Sequence, residues 1–312
     1  MKKTNQNLNP KKRTSSFQSD IVIDENGEIF ISFFPPELLH LVSKKQIPSN
    51  LSPSWIQPHY SPDELRFLDK EEYSSCNLCP KTCGFDRVKQ SHPLCGDWNL
   101  KVSNYGVSFG DEAVLSNGGG SGVIFISGCH LTCPSCINPE KVRSDNSIVS
   151  VQEFLNIAEM LYLKGVNNIQ ILSPTINLPH IRHVLNLLKK YHFPLPIVLK
   201  SSGYESIEEI KKLKGLVDIY VPDYKFQSSH FWTTKSGARD YHNIFIPCLE
   251  EMYHQVGEAK FNQEGNIEKG VIIRHVKNPY LSSIENDSID KFLNSQKKDI
   301  VISILNNFVV LD

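Results

Sequence analysis

Three cysteines, Cys129, Cys133 and Cys136, stand at the spacing C-x3-C-x2-C, within the run Gly128-Cys-His-Leu-Thr-Cys-Pro-Ser-Cys-Ile-Asn138. Thiolates are metal ligands, and three of them on one short loop can hold three irons of a four-iron cluster while the fourth iron stays open. An open coordination position separates a catalytic metal centre from a closed structural one. The other chemistry open to the same residues is a zinc site of three cysteines, with His130 as a fourth ligand. Zinc sites more often use paired C-x2-C elements.

A second group lies upstream. Cys76, Cys79, Cys83 and Cys95 follow the pattern C-x2-C-x3-C-x11-C, with Pro80, Gly84 and Gly96 beside the thiols to allow tight turns. Four thiolates suffice to close a tetrahedral zinc site or to hold a second iron–sulfur cluster. The spacing leaves the metal open. Seven of the eight cysteines thus sit in two tight groups, and the amino terminus, Met1 to Ser19, is basic and polar with no apolar core. That start reads as a tail rather than an export signal. Grouped thiols without an export signal point to metal binding in a reducing cytoplasm rather than to disulfides.

Composition narrows the partners. Lys and Arg total 33 against 34 Asp and Glu, so nothing in the charge calls for a nucleic acid or an anionic membrane. No run of apolar residues reaches the length of a membrane span. At 312 residues the chain can bury one large core with a smaller appended unit.

The elements that must position the cysteines follow from periodicity. Val123 to Ser127 is an apolar run that reads as a buried strand leading into the central loop. The preceding stretch Ser116 to Gly122 is glycine-rich, but it lacks the P-loop lysine and enters a strand, which excludes a phosphate cradle. Its glycines are expected to let backbone pass close to the cluster or into the sheet. Beyond the loop, capping boxes at Ser150-x-x-Glu153 and Ser206-x-x-Glu209 predict helix starts. Further strands are predicted at Asn168 to Leu172, Pro196 to Ser201, Val217 to Val221, Val271 to Val276 and Ile300 to Leu305. Helices are predicted after Pro179, around Leu249 to Val256 and near Ser288 to Asn294. Six strands alternating with five helical stretches predict an α/β fold, a parallel sheet curved into a partial (β/α)6 barrel, with its chemistry at the carboxyl ends of the strands. Upstream, two apolar runs around Asn26-Gly27 predict a β-hairpin, Glu37 to Val42 a short helix, and Gln46 to Pro62 a linker. The domain reading is 1–70 tail, hairpin and linker, 71–112 cysteine-rich segment, and 113–312 barrel.

Residues 76 to about 277 resemble the radical S-adenosylmethionine (SAM) superfamily. Within it they resemble the pyruvate formate-lyase-activating-enzyme-like branch that carries an additional cysteine-rich segment. The likeness rests on Cys76-x-x-Cys79-Pro80-x-x-Cys83-Gly84, Phe109-Gly110-Asp111-Glu112, the central cysteine loop with Asn138, and Ser173-Pro174-Thr175. It continues in Ser201-Ser202-Gly203-Tyr204-Glu205, Pro222-Asp223-Tyr224-Lys225, Glu251-Met252-x-x-Gln255-Val256-Gly257 and Ile272-Ile273-Arg274-His275. The resemblance implies that Cys129, Cys133 and Cys136 hold a [4Fe–4S] cluster. It places Ser173, Pro174 and Thr175 at the SAM ammonium, and Ser201 and Ser202 near its ribose or carboxylate. Asp223, Lys225, Arg274 and His275 would face the SAM and substrate cavity. It further implies reductive cleavage of SAM to a 5′-deoxyadenosyl radical that abstracts hydrogen from a substrate, an electron donor such as flavodoxin or ferredoxin, and activation of a glycyl-radical enzyme as one use of that radical. The alternative is a degenerate iron–sulfur or zinc protein with a structural or interaction role.

The chain departs from the pattern in three places. Ser135 stands where the superfamily carries an aromatic residue that helps seat adenine, Lys200 where an Asn is expected, and Asn278-Pro279-Tyr280 where Pro-Gly is usual.

Overall fold

The computed structural model describes residues 60–306, apart from 68, 111, 137, 140–146 and 228–229, together with two short strands near the amino terminus. Those strands, β1 (Asp20–Ile23) and β2 (Ile29–Ser32), pair antiparallel as the hairpin expected around Asn26-Gly27. The tail, the short helix at 37–42 and nearly all of the 46–62 linker lie outside the described residues.

The cysteine-rich segment holds one short helix, α1 (Glu71–Ser74), and otherwise turns. After it come β3 (Val102–Ser108), α2 (Ala113–Ser116) and β4 (Ser121–Ile126). Then follow α3 (Val151–Leu163), β5 (Ile169–Leu172), α4 (Leu178–Lys190), β6 (Ile197–Ser201), α5 (Ile207–Lys211) and β7 (Ile219–Pro222). The chain continues through α6 (His230–Ser236), α7 (Tyr241–Val256), β8 (Lys260–Phe261), β9 (Ile267–Val276), α8 (Ser283–Asn294) and β10 (Val301–Leu305). One eight-stranded sheet runs β10-β9-β7-β6-β5-β4-β3, with β8 paired to β9 off that path. From β4 to β10 the six strands of the path are parallel, and helices fill each crossover. This is the mixed α/β arrangement that the alternation of apolar runs and capping signals predicts. The antiparallel edge strand β3 was not predicted, because Val102–Ser108 is rich in Ser, Asn and Gly and shows no clean alternation.

Local chemistry explains the element ends. At α3 the Ser150 side chain accepts from the Glu153 amide at 3.2 Å while Glu153 accepts from the Ser150 amide at 2.7 Å, so the capping box is complete. At α5 the expected box is absent. Ser206 is the N-cap, but its side chain makes no cap bond. Glu209 is drawn away by two cations, Arg182 at 2.9 Å and Lys212 at 2.6 Å, which outcompete a single amide. The glycine-rich approach lies at the end of β4 opposite the cysteine loop, where Gly122 pairs with Ile169 and Asn167 and Asn266 donate to the Asn117 carbonyl.

Strand periodicity sorts the two faces. Ile197, Leu199, Tyr220, Val271 and Ile273 join the large core under the helices. Their neighbours Val198, Ile219, Val221 and Ile272 form a smaller apolar cluster with Leu115 on the other face. Two residues further along that second face, toward the carboxyl ends, stand Lys200, Asp223 and Arg274, all buried.

Candidate active site

A single cavity gathers the strand ends. It is lined by Cys129, Cys133 and Cys136 from the loop after β4, and by Ser173 and Thr175 after β5. Lys200, Ser201 and Ser202 line it at the end of β6, Asp223 and Lys225 after β7, and Arg274 on β9. Of the residues expected at the SAM cavity, Pro174 and His275 do not line it. His275 follows Arg274 and therefore points to the opposite face of β9, where its Nδ1 lies 2.7 Å from the Tyr224 carbonyl oxygen. Its expected place in the cavity is corrected accordingly.

The inner face carries a continuous series of alternating charges. The Lys225 ammonium lies 2.6 Å from Asp223, whose other oxygen accepts from the Arg274 guanidinium. Arg274 is 4.0 Å from Glu112, and Glu112 is 2.6 Å from Lys200. Burial alone would push the Asp223 carboxyl up, but the Arg274 and Lys225 charges outweigh it and hold it well below the ordinary range. Lys225 is raised in turn: burial opposes its charge, and Asp223 more than restores it. Three cations and two carboxylates in one row, buried except for the part-exposed Lys225, suit a ligand with an anionic group of its own.

Tyr241, from α7, locks the loops after β6 and β7 together. Its hydroxyl donates to the Asp223 carbonyl, lies 2.9 Å from the Ser202 carbonyl, and accepts from the Lys225 amide at 3.2 Å. Gly203 makes room for this contact: it has φ +76°, and a Cβ there would overlap the Asp223 carbonyl and fall 2.6 Å from the Tyr241 hydroxyl. Ser173 also takes a left-handed conformation, φ +56°, at the end of β5.

Burial pushes the Cys129 thiol up to about 12 and raises that of Cys133 as well. The Leu131 amide approaches the Cys129 sulfur at 3.4 Å, and the charge of Lys225 acts against the rise at both thiols. His130 is buried and held neutral, its pKa pushed down to about 4 by desolvation, with Nε2 committed to the Tyr204 carbonyl at 2.9 Å. That bond fixes the ring and leaves Nδ1 as the one nitrogen that could meet a metal. Among the described residues no group of three His, Cys, Asp or Glu side chains is arranged to hold a single metal ion. The donor set on the loop, three thiols on one wall of one cavity, suits a multi-iron cluster, whose ligands stand further apart than those of one ion.

Cys76, Cys79, Cys83 and Cys95 lie outside the cavity lining. Cys76 and Cys79 are buried and Cys83 is exposed. Burial pushes Cys79 up to about 12 and Cys95 up to about 11, each influenced by Cys76. The segment is docked on the cavity's outer wall, where Lys81 donates to the His130 carbonyl at 2.5 Å. Periodicity did not single out Glu112, Tyr241, Arg87 or Trp232, because their roles depend on contacts between elements far apart in the chain.

Fold and site together define an α/β protein with a thiol-bearing, charge-lined cavity at the carboxyl ends of a parallel sheet. No family model matches the chain. It is 26% identical over 251 residues to an uncharacterised protein of Methanocaldococcus jannaschii, covering 76% of this chain and 67% of that one. It is 30% identical over 134 residues to a second protein of the same archaeon, provisionally named a glycyl-radical enzyme activating enzyme. That match covers 42% of this chain and spans about half, 49%, of the relative's length. No helix among the described residues is long and apolar enough to cross a membrane.

Proposed function

We propose that this chain is a radical SAM enzyme, its six parallel strands forming the partial barrel and Cys129, Cys133 and Cys136 holding a [4Fe–4S] cluster at the barrel mouth. One observation carries the reading: the three thiols open onto the same cavity as Ser173, Thr175, Ser201, Ser202, Asp223, Lys225 and Arg274. When bound, such a cluster would supply the single electron for reductive cleavage of SAM, with Cys129, Cys133 and Cys136 holding it at the cavity wall.

The chain's own residues bind and orient. Lys225 and Arg274, paired to the Asp223 between them, would meet the SAM carboxylate and fix its position. The hydroxyls of Ser173, Thr175, Ser201 and Ser202 are at hand for the ammonium and ribose. Tyr241 keeps the loops that carry Ser202, Asp223 and Lys225 in register, so that the sulfonium is held close to the thiol-bearing wall. The surrounding core keeps water from a reactive radical. An external one-electron donor of the flavodoxin or ferredoxin type would deliver the electron. The name given to the second relative supports a protein substrate, a glycyl-radical enzyme. Cys76, Cys79, Cys83 and Cys95 would close a second metal site, zinc or iron–sulfur, that stabilises the outer wall.

A second reading, a metal-binding protein without turnover, is favoured by Ser135, which offers no ring to a nucleobase. Paramagnetic resonance of the anaerobically reconstituted, reduced protein separates the two. The enzyme reading expects the cluster spectrum to change when SAM is added, and expects iron to be lost when Cys129, Cys133 or Cys136 is replaced by Ala. A spectrum indifferent to SAM would favour the second reading.

A further inference from the structure

Ser135 lines the cavity beside Cys136 with a side chain too small to stack on anything. Aromatic side chains reach the cavity from elsewhere: Phe125, Tyr224, Phe226 and Trp232. Tyr224 is committed to the core, its ring 4.2 Å from that of Phe292 and 4.8 Å from that of Phe245, with its hydroxyl 2.8 Å from His242. Phe226 packs on Tyr241 at 4.7 Å. Phe125 stands within β4, before the cysteine loop begins.

Trp232 belongs to the same large core and meets the Phe231 ring edge-on at 5.3 Å, but its place in the chain is different. It is carried by α6, and α6 is tied directly to the cysteine loop. The Thr132 amide donates to the Ser236 carbonyl at 3.0 Å, and the Thr132 hydroxyl donates to the Lys235 carbonyl at 2.5 Å. Thr132 immediately precedes Cys133. The indole and the three thiols therefore belong to two elements that hold each other in place, and both line one cavity. A bulky ring from α6 stands on the cavity that Ser135 leaves without one.

We propose that Trp232 is the stacking surface for the purine of the nucleoside that this cavity takes, supplying from α6 the flat apolar face that Ser135 does not. The inference rests on the reading of the cavity as a site for a sulfonium nucleoside. Indole presents the largest π face among the side chains, and base stacking on an aromatic ring needs only its position, not a hydrogen-bond pattern. The amino-acid half of the ligand is left to the charged row and the serines, so the two halves of the ligand are recognised by separate parts of the chain.

That separation gives the test. Full-length, anaerobically reconstituted protein is titrated calorimetrically with SAM, and with methionine by its competition against SAM. Trp232→Ala is expected to weaken SAM binding about tenfold or more, to leave methionine unchanged, and Trp232→Phe is expected to restore SAM binding to within about threefold of the parent. If Trp232→Ala bound SAM as the parent does, the inference would be overturned while the reading of the cavity stood. Equal weakening of SAM and methionine, or no recovery in Trp232→Phe, would overturn it too, by showing that Trp232 acts through packing. A parent that bound no SAM would overturn the reading of the cavity and this inference with it.

Discussion

Arg87 donates to the Ile176 carbonyl at 2.6 Å, joining the cysteine-rich segment to the turn that leaves β5. The same guanidinium reaches the carbonyls of Asp97 at 2.6 Å, Cys95 at 3.1 Å and Gly96 at 3.2 Å. Its side chain is buried and lies 5.1 Å from the centre of the Tyr73 ring. A cation is thus satisfied by backbone alone, and it sets the second cysteine group beside the first: a Cβ on Gly128, the residue before Cys129, would fall 3.4 Å from the Cys95 carbonyl oxygen.

Replacing Arg87 with Ala takes the charged donor from one buried carbonyl, that of Ile176, and from three half-buried ones, those of Cys95, Gly96 and Asp97. Leaving such groups unpaired costs about 1–3 kcal/mol each, so a loss of about 3 kcal/mol or more is expected. Arg87→Lys should recover little, because one ammonium cannot match the spread of a guanidinium fork. Urea denaturation with limited proteolysis of residues 60–100 checks this. A variant as stable and as protease-resistant as the parent would contradict it.

Asp223 separates two cations, and Asp223→Asn should destabilise the fold by about 3 kcal/mol by leaving buried charge uncompensated. The pH dependence has a definite sign. Because the folded carboxyl titrates below the ordinary range, its contribution is complete above the unfolded value near about 4 and is lost as pH falls through its own lower value. Denaturation midpoints of parent and variant should differ by a constant amount between about pH 5 and about pH 8, and converge below about pH 4. A gap that widened on acidification would be the wrong sign.

Gly203→Ala tests the junction of the loops after β6 and β7. The added methyl meets the Asp223 carbonyl and the Tyr241 hydroxyl in a left-handed backbone position. Strain and overpacking together are expected to cost about 3 kcal/mol. The thermal midpoint should fall and SAM binding should weaken with it. An unchanged midpoint would mean that the junction is not held as tightly as these contacts indicate.

Much of this architecture was legible in the sequence, and the reasons for the failures are physical. The apolar runs ending in Ser127, Leu172, Ser201 and Val276 had to be buried strands, and the Ser150–Glu153 box had to start a helix. Thiol spacing at the end of one such run picks out three residues that line the cavity. The box at Ser206–Glu209 failed because Arg182, from another helix, competes for the same carboxylate. Strand alternation sends the neighbours Arg274 and His275 to opposite faces, so the two cannot share the cavity. Lys200 follows Val198 by the strand period of β6, whereas Glu112, Tyr241 and Trp232 reach the site only through tertiary contacts that no local period encodes.

The four upstream cysteines are expected to form a separate closed metal site that supports folding rather than turnover. Cys79→Ala should lose a second metal and loosen the segment while keeping the iron bound at the central loop. Elemental analysis of the fully reconstituted parent checks it directly. Metal confined to the central cluster in that parent would refute a second site.

The central claim is that the cysteine loop and the charged row act on one bound sulfonium nucleoside. The most direct measurement is chromatographic detection of 5′-deoxyadenosine after the anaerobically reconstituted protein is incubated with SAM and dithionite. Slow formation is expected in the parent without added substrate, and none in Cys133→Ala with matched protein concentration. A fully loaded parent that made no 5′-deoxyadenosine above the Cys133→Ala background would contradict the account.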